Sequence, residues 1–230
     1  MLAQTSPWHA HAIQRTAVGL AEPLAAPARM EWTTRPGQGP AAEILGPDLR
    51  GTRILELGCG SGHNAAYLAT RHGAQVVGVD FVGLQVRRAR SHYGRLNNLT
   101  FVARHALHYL QASDEQFDAI YSVFGAVGLA APELLLPAIA QRLKPGRVLA
   151  FSVPHPQRGG RGASGDDRPR RDFVTLPDRT RRPIARWEFD ADRWERHLSR
   201  TGFRLTSAQE FHDLRMGRSP ATLLIRAHKL

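Results

Sequence analysis

From Thr52 onward, short apolar runs alternate with segments whose apolar positions recur every three or four residues. Runs of the first kind read as buried strands, at 53–57, 75–80, 99–103, 117–124 and 147–153. Segments of the second kind read as helices, at 64–71, 84–93 (stopped by Gly94) and 132–143. That alternation predicts a parallel sheet with crossover helices. The texture changes after residue 155. The stretch 158–171 is rich in arginine and glycine and reads as a mobile loop. Beyond it, 173–176 and 184–189 are expected to pair as a hairpin across Pro177-Asp178-Arg179. A helix resumes at 193–200, with Trp194 and Leu198 on one face. The stretches 203–211 and 221–227 then close the sheet as an antiparallel pair.

At the other end, Ser6 suits a helix cap and Pro7 a first helical position. The predicted helix carries Trp8, His9, His11 and Ile13 and ends before Pro23; a Pro/Gly loop (34–40) and a short helix (41–45) follow. The expected fold is therefore α/β, a Rossmann-like seven-stranded, mostly parallel sheet with helices on both faces and an antiparallel last strand. An N-terminal helical cap (1–50) precedes the main domain (51–230), and 155–189 forms a lid insertion.

Composition narrows the class. With 230 residues, 42% of them hydrophobic, the chain can bury a real core. A single cysteine, Cys59, excludes a disulfide framework and a thiolate zinc cluster. No basic segment followed by an apolar run opens the chain, and the apolar stretch 123–140 is broken by Pro132, Glu133 and Pro137. Both features point to a cytoplasmic protein without a membrane partner. The net charge of +11 invites a nucleic-acid reading, but 29 of the 31 basic residues are arginine in an Ala-, Gly- and Pro-rich chain. That is the bias of a GC-rich genome, so nucleic acid is not the expected partner.

The strongest local signal is Glu56-Leu57-Gly58-Cys59-Gly60-Ser61-Gly62, between the first strand and a helix. Glycines there let the backbone turn sharply and let a ligand approach it closely, and the helix amides favour polar or anionic groups. Asp80, at the end of the second strand, suits the two hydroxyls of a ribose. A dinucleotide loop wants glycine at its first, third and sixth positions, but the sixth here is His63. Glycines instead fall at the first, third and fifth, preceded by Glu56.

This pattern resembles the class I S-adenosylmethionine (SAM)-dependent methyltransferases, in their small-molecule branch. Leu143-Lys144-Pro145-Gly146 resembles the turn before that family's fifth strand, and Phe117-Asp118-Ala119-Ile120 its fourth strand. The resemblance implies SAM as cofactor, with the methionine half over Gly58, Cys59, Gly60 and Gly62. Glu56 would orient that loop and reach the amino group, Asp80 would hold the ribose, and Phe81 would lie against the adenine. After strand three stand His105 and Ala106; either a neutral His105 or the backbone would accept from the adenine amine. Tyr121 and Ser122 would flank the methionine portion.

The segment after strand four, Tyr121-Ser122-Val123-Phe124-Gly125, lacks the Asn/Asp-Pro-Pro-aromatic motif of enzymes that methylate base amines. It also lacks carboxylates for a divalent ion, so no metal is expected. His155, between prolines just past strand five, is the candidate general base; its alternative is a loop histidine packed under the lid. His9 sits on the N-terminal helix, a segment that often covers the cofactor in this family. His9 and His11, at i, i+2, do not share a helix face, which argues against a metal pair. Trp8, His9, Trp32, Phe124 and Trp187 are candidates for the substrate pocket, the tryptophans serving otherwise as core. The expected reaction is metal-independent methyl transfer to a small molecule, in bacterial specialised metabolism. An RNA or protein methyltransferase and a SAM-binding protein without transfer remain as alternatives. Oxygen, nitrogen and carbon acceptors, and monomer or homodimer, stay open.

Overall fold

A computed structural model describes residues 6–16, 25–213 and 219–230. Its centre is a seven-stranded sheet. The strands are β1 (Arg53–Leu57), β2 (Gln75–Asp80), β3 (Leu99–Ala103), β4 (Phe117–Val123), β5 (Leu143–Pro154), β8 (Phe203–His212) and β9 (Pro220–Lys229). Their order is β3-β2-β1-β4-β5-β9-β8. Strands β1 to β5 pair in parallel, while β9 runs antiparallel to both β5 and β8. A separate hairpin, β6 (Arg170–Thr175) with β7 (Arg181–Arg186), lies outside the sheet.

Alternation along β1 shows how the sheet takes helices on both faces. Ile54 packs with α2 (His63–Arg71) and α3 (Gly83–Tyr93). Leu55 and Leu57 pack with α4 (Ala106–Ala112), α5 (Pro132–Arg142) and α6 (Ala191–Arg200). On the Ile54 side, Met30, Trp32, Ile44, Leu45 and Leu49 complete the core. The segment ahead of the sheet is therefore only partly helical: α1 (Pro7–Thr16) and a 3-10 turn (Ala42–Leu45) flank irregular chain built into the core. Where the first helix ends relative to Pro23 lies outside the described residues.

Several boundaries differ for identifiable reasons. Strand β5 begins at Leu143 because Leu143 pairs with Phe117 across the Lys144-Pro145-Gly146 bulge. Helix α4 is absent from the sequence-based expectation; its seven residues start at Ala106, after His105, whose side chain makes no cap bond. In the hairpin the second strand begins at Arg181, so that Phe173 faces Pro183 and Thr175 faces Arg181. Arg179 completes the turn at φ 68°.

The stretch expected to be a mobile loop is instead pinned by ion pairs. Arg158 reaches Asp172 at 2.6 Å and Glu188 at 2.8 Å, and Arg161 reaches Glu188 at 2.7 Å. Arg186 bonds Asp172 at 2.7 Å, and Arg170 donates to the carbonyls of Gly162 and Ala163. Burial raises the Asp172 carboxyl, but the hydrogen bond from Arg186 and the nearby guanidinium charges outweigh it and hold it below its ordinary value. Composition suggested a solvated loop; carboxylates on neighbouring segments make it a bonded one. Among the described residues, no helix is long and apolar enough to cross a membrane.

Candidate active site

Strand order reverses direction between β1 and β4, the place where an open α/β sheet offers a crevice beyond the carboxyl ends of its strands. There the two loops touch backbone to backbone. A Cβ on Gly58 would stand 2.7 Å from Gly125 Cα, and Gly58 already has φ 81°. Gly62, at φ 81°, caps α2, and a Cβ there would stand 2.5 Å from the Phe101 ring. Gly60, at φ 54°, differs: the space its side chain would fill is open, on the wall of a cavity.

That cavity has a volume of about 470 Å³, within the range of small-molecule sites. Its floor is Gly58, Gly60 and the end of β2 with Asp80, Phe81 and Val82, continued by His105, Ala106 and the 124–126 loop. Its roof is Ser6, Pro7, Trp8 and His11 of the N-terminal segment with Pro183, Ile184 and Ala185 of β7. One pair clasps the two halves of the roof. Gln14 donates to Asp178 at 2.7 Å, and the Asp178 amide donates back to Gln14 at 3.1 Å.

Asp80 ties the floor together. Its Oδ2 accepts from the Gly60 amide at 2.8 Å and its Oδ1 from the Val82 amide at 2.8 Å. Burial raises its pKa, against the pull of those two bonds and of the nearby His9. Each carboxylate oxygen retains a lone pair for an outside donor. Phe81, 40% exposed, meets the His9 ring at 5.7 Å and the His105 ring at 6.3 Å. Burial also lowers His105, so it is neutral at pH 7 and able to accept.

Behind the loop, Glu56 is buried with Tyr121 and Cys59. Burial raises the Glu56 carboxyl to about 8; the nearby Tyr121 hydroxyl lowers it only in part, and Asp80 adds to the rise. Neither Glu56 Oε2 nor the Tyr121 hydroxyl closes a hydrogen bond, so the tyrosine acts by proximity. Burial likewise keeps Cys59 a thiol.

The expected site residues thus divide. Gly58, Gly60, Asp80, Phe81, His105, Ala106, Trp8 and Phe124 share the cavity wall; Phe124 is held there at φ 48°, a costly backbone for a bulky side chain. Glu56, Cys59, Gly62 and Tyr121 stand behind it, and His9 reaches it through Phe81. Four residues require correction. Ser122 is a tether, donating to the Leu57 carbonyl at 2.7 Å and accepting from the Val127 amide. Trp32 is fully buried, its ring against Tyr121 and its indole N–H on the Ala41 carbonyl. Trp187 bonds the Asp167 carbonyl, off the cavity wall. His155 is buried and does not line the cavity. Its Nδ1 accepts from the Gln157 amide at 3.1 Å and its Nε2 lies 3.0 Å from Glu210, so it has no free lone pair for a base. Sequence reasoning missed His11 as a wall residue, along with Leu129, Ala130 and the 183–185 edge. The Pro7 start that set the helix phase was the available signal for His11.

Residues 54–146 match the family described as a methyltransferase domain. An O-methyltransferase of Aspergillus nomiae is 32% identical over 107 residues, 45% of this chain and 47% of that one. A ubiquinone biosynthesis O-methyltransferase of Roseobacter denitrificans is 36% identical over 130 residues, 55% of this chain and 52% of that one. The chain therefore spans about half the length of the curated relatives it matches. A solved structure of a putative S-adenosylmethionine-dependent methyltransferase from Listeria monocytogenes aligns with a TM-score of 0.65 at 20% identity, over 82% of this chain and 95% of that one; at that identity it speaks for the fold. The chain thus carries a match to a methyltransferase domain over residues 54–146, and the sheet built around it shares the fold of that Listeria structure.

Proposed function

We propose that the chain binds SAM and transfers its methyl group to a hydroxyl of a small molecule. The observation that carries the reading is the bond from the Gly60 amide to Asp80 on the floor of the cavity. It presents a bare glycine backbone and a carboxylate side by side, a fit for the amino-acid and ribose parts of one ligand. The open space at Gly60 and the unbonded Glu56 Oε2 fit the same group. Oxygen as acceptor is favoured by the relatives named O-methyltransferases.

When bound, SAM supplies a methyl group on a positively charged sulfur. The residues of this chain do the rest by placement. Asp80 holds the ribose hydroxyls, Phe81 lies along the adenine, and His105 or the Ala106 amide meets its edge. Gly58 to Gly62 carry the methionine part, and Glu56 fixes that loop from behind. The roof of α1 and β7 covers the floor, and a cavity of this volume suits a small acceptor more than a polymer.

Calorimetric titration with S-adenosylhomocysteine tests the reading. Asp80→Asn is expected to weaken binding by about 10- to 150-fold, the equivalent of about 1.5–3 kcal/mol for a charge-assisted bond. Equal affinity in that variant removes the ribose assignment, and NADH binding without S-adenosylhomocysteine binding removes the reading itself.

A further inference from the structure

We infer that the acceptor is an uncharged, largely apolar ring compound bearing a hydroxyl, seated under the roof, and that His11 takes the hydroxyl proton as the methyl group arrives. The inference rests on the methyl-transfer reading and specifies its acceptor.

The first argument is the charge of the walls. The roof side is lined by Trp8, Leu129, Ala130, Pro183 and Ile184. Among the described residues, no arginine or lysine lines the cavity, in a chain with 31 of them. Two arginines of the hairpin beside it are engaged elsewhere. Arg186 bonds Asp172, and Arg181 lies over the Phe173 ring, 4.4 Å from its centroid. A carboxylate-bearing acceptor would give up hydration against the apolar roof side with no cation on that wall to replace it, since Arg15 and Arg88 act on His11 from outside the wall. A cationic acceptor fares little better, since Asp80, the one carboxylate on the wall, spends its remaining lone pairs on the ribose hydroxyls in this reading. A flat apolar molecule instead gains contact with the Trp8 ring and the aliphatic wall.

The second argument is the polar group left over. His105 starts α4 with its ring against Phe81 and His108, on the floor. His11 stands on the roof helix, its ring 6.2 Å from that of Trp8. Among the described residues, neither of its ring nitrogens makes a hydrogen bond. Partial burial, then the charges of Arg15 on its own helix and Arg88 on α3, lower its pKa. The ring is therefore neutral and able to accept a proton. The step balances: the acceptor oxygen forms a bond to the methyl carbon, the carbon–sulfur bond breaks with its electron pair on sulfur, and the hydroxyl proton passes to His11.

The test begins with S-adenosylhomocysteine titration of the wild-type protein; no binding there is a failure of the methyl-transfer reading, not of this one. The loaded protein is then titrated with neutral phenols of one to three rings and with their ring-carboxylated counterparts. Each neutral compound should bind about tenfold or more tighter than its carboxylated partner, the equivalent of at least about 1.4 kcal/mol. Ile184→Arg should reverse that order. Carboxylated compounds binding as well in the wild type, or no neutral phenol binding at all, overturns the inference. With the tightest neutral phenol, His11→Gln should keep S-adenosylhomocysteine affinity and KM within about threefold while kcat falls by about 10²–10⁴. Added imidazole should restore turnover in His11→Ala, which a packing role alone would not allow. Failure of that rescue, or an unchanged kcat in His11→Gln, overturns the role of His11.

Discussion

The floor and the roof of the cavity are built from different materials. The floor is backbone: glycines at positive φ, strand ends and two loops in contact, with Asp80 as a clasp and Ser122 as a tether. The roof is side chain: a ten-residue helix and a two-stranded hairpin held by guanidinium–carboxylate pairs and by Gln14 on Asp178. A backbone site depends on conformation and admits few substitutions. A side-chain site divides its stability among many bonds and can be rebuilt piece by piece. Floors of this kind suit a fixed ligand and roofs of this kind a variable one.

Substitution at the floor should have the largest effect. Gly58→Ala adds a Cβ at 2.7 Å from backbone at positive φ, where neither side can yield. The expected loss is about 3 kcal/mol or more of stability, together with S-adenosylhomocysteine binding; denaturant titration and calorimetry read the two. A Gly58→Ala protein of normal stability and affinity would remove the contrast.

Next comes the roof. Glu188 is fully buried as a side chain and serves Arg158 and Arg161, which are 18% and 41% exposed. Breaking a buried pair costs about 3–5 kcal/mol, and the partial exposure of the arginines places Glu188→Gln at or below the low end, about 3 kcal/mol. Hydrogen exchange should accelerate through 158–186 while β1, β2 and β4 stay protected. Uniform acceleration would mean that floor and roof form one cooperative unit.

A pH experiment separates the layer behind the floor. Glu56 titrates near 8 in the folded chain against an ordinary 4.5. Between these values the unfolded chain is ionised at this position and the folded one is not, so stability falls as pH rises from about 4.5 to about 8 and levels off above. Glu56→Gln should flatten that slope in denaturant titrations of the ligand-free protein; an unchanged slope would assign it to other groups.

The smallest effect is expected at His155. Because its nitrogens are bonded to Glu210 and the Gln157 amide, His155→Gln should cost about 1 kcal/mol of stability, with turnover within about threefold. A larger fall in rate would return it to the chemistry.

The sequence announced the floor because its determinants are local. β1, β2 and β3 were legible to the residue, and the spacing from Glu56 to Gly62 and on to Asp80 is set by one strand, one turn and one crossover. The roof depends on partners far along the chain, which no local pattern reports. Arg158 looked like a solvated charge because Glu188 is thirty residues away in sequence. His155 looked poised because it follows a strand, and only the return of β8 brings Glu210 to its ring. Ser122, Trp32 and Trp187 were misplaced for the same reason: each bonds a backbone group contributed by another segment.

The clasp between Gln14 and Asp178 joins positions 164 apart, and this sets an order of events at birth. The first helix leaves the ribosome before any surface it rests on, since α3, β6 and β7 all follow it. At ten residues it is too short to hold its shape unaided. A nascent chain that has made its glycine loop therefore still lacks a roof over it. The cavity gains its roof only once synthesis has passed the hairpin, so a truncated product carries a floor that remains open to solvent.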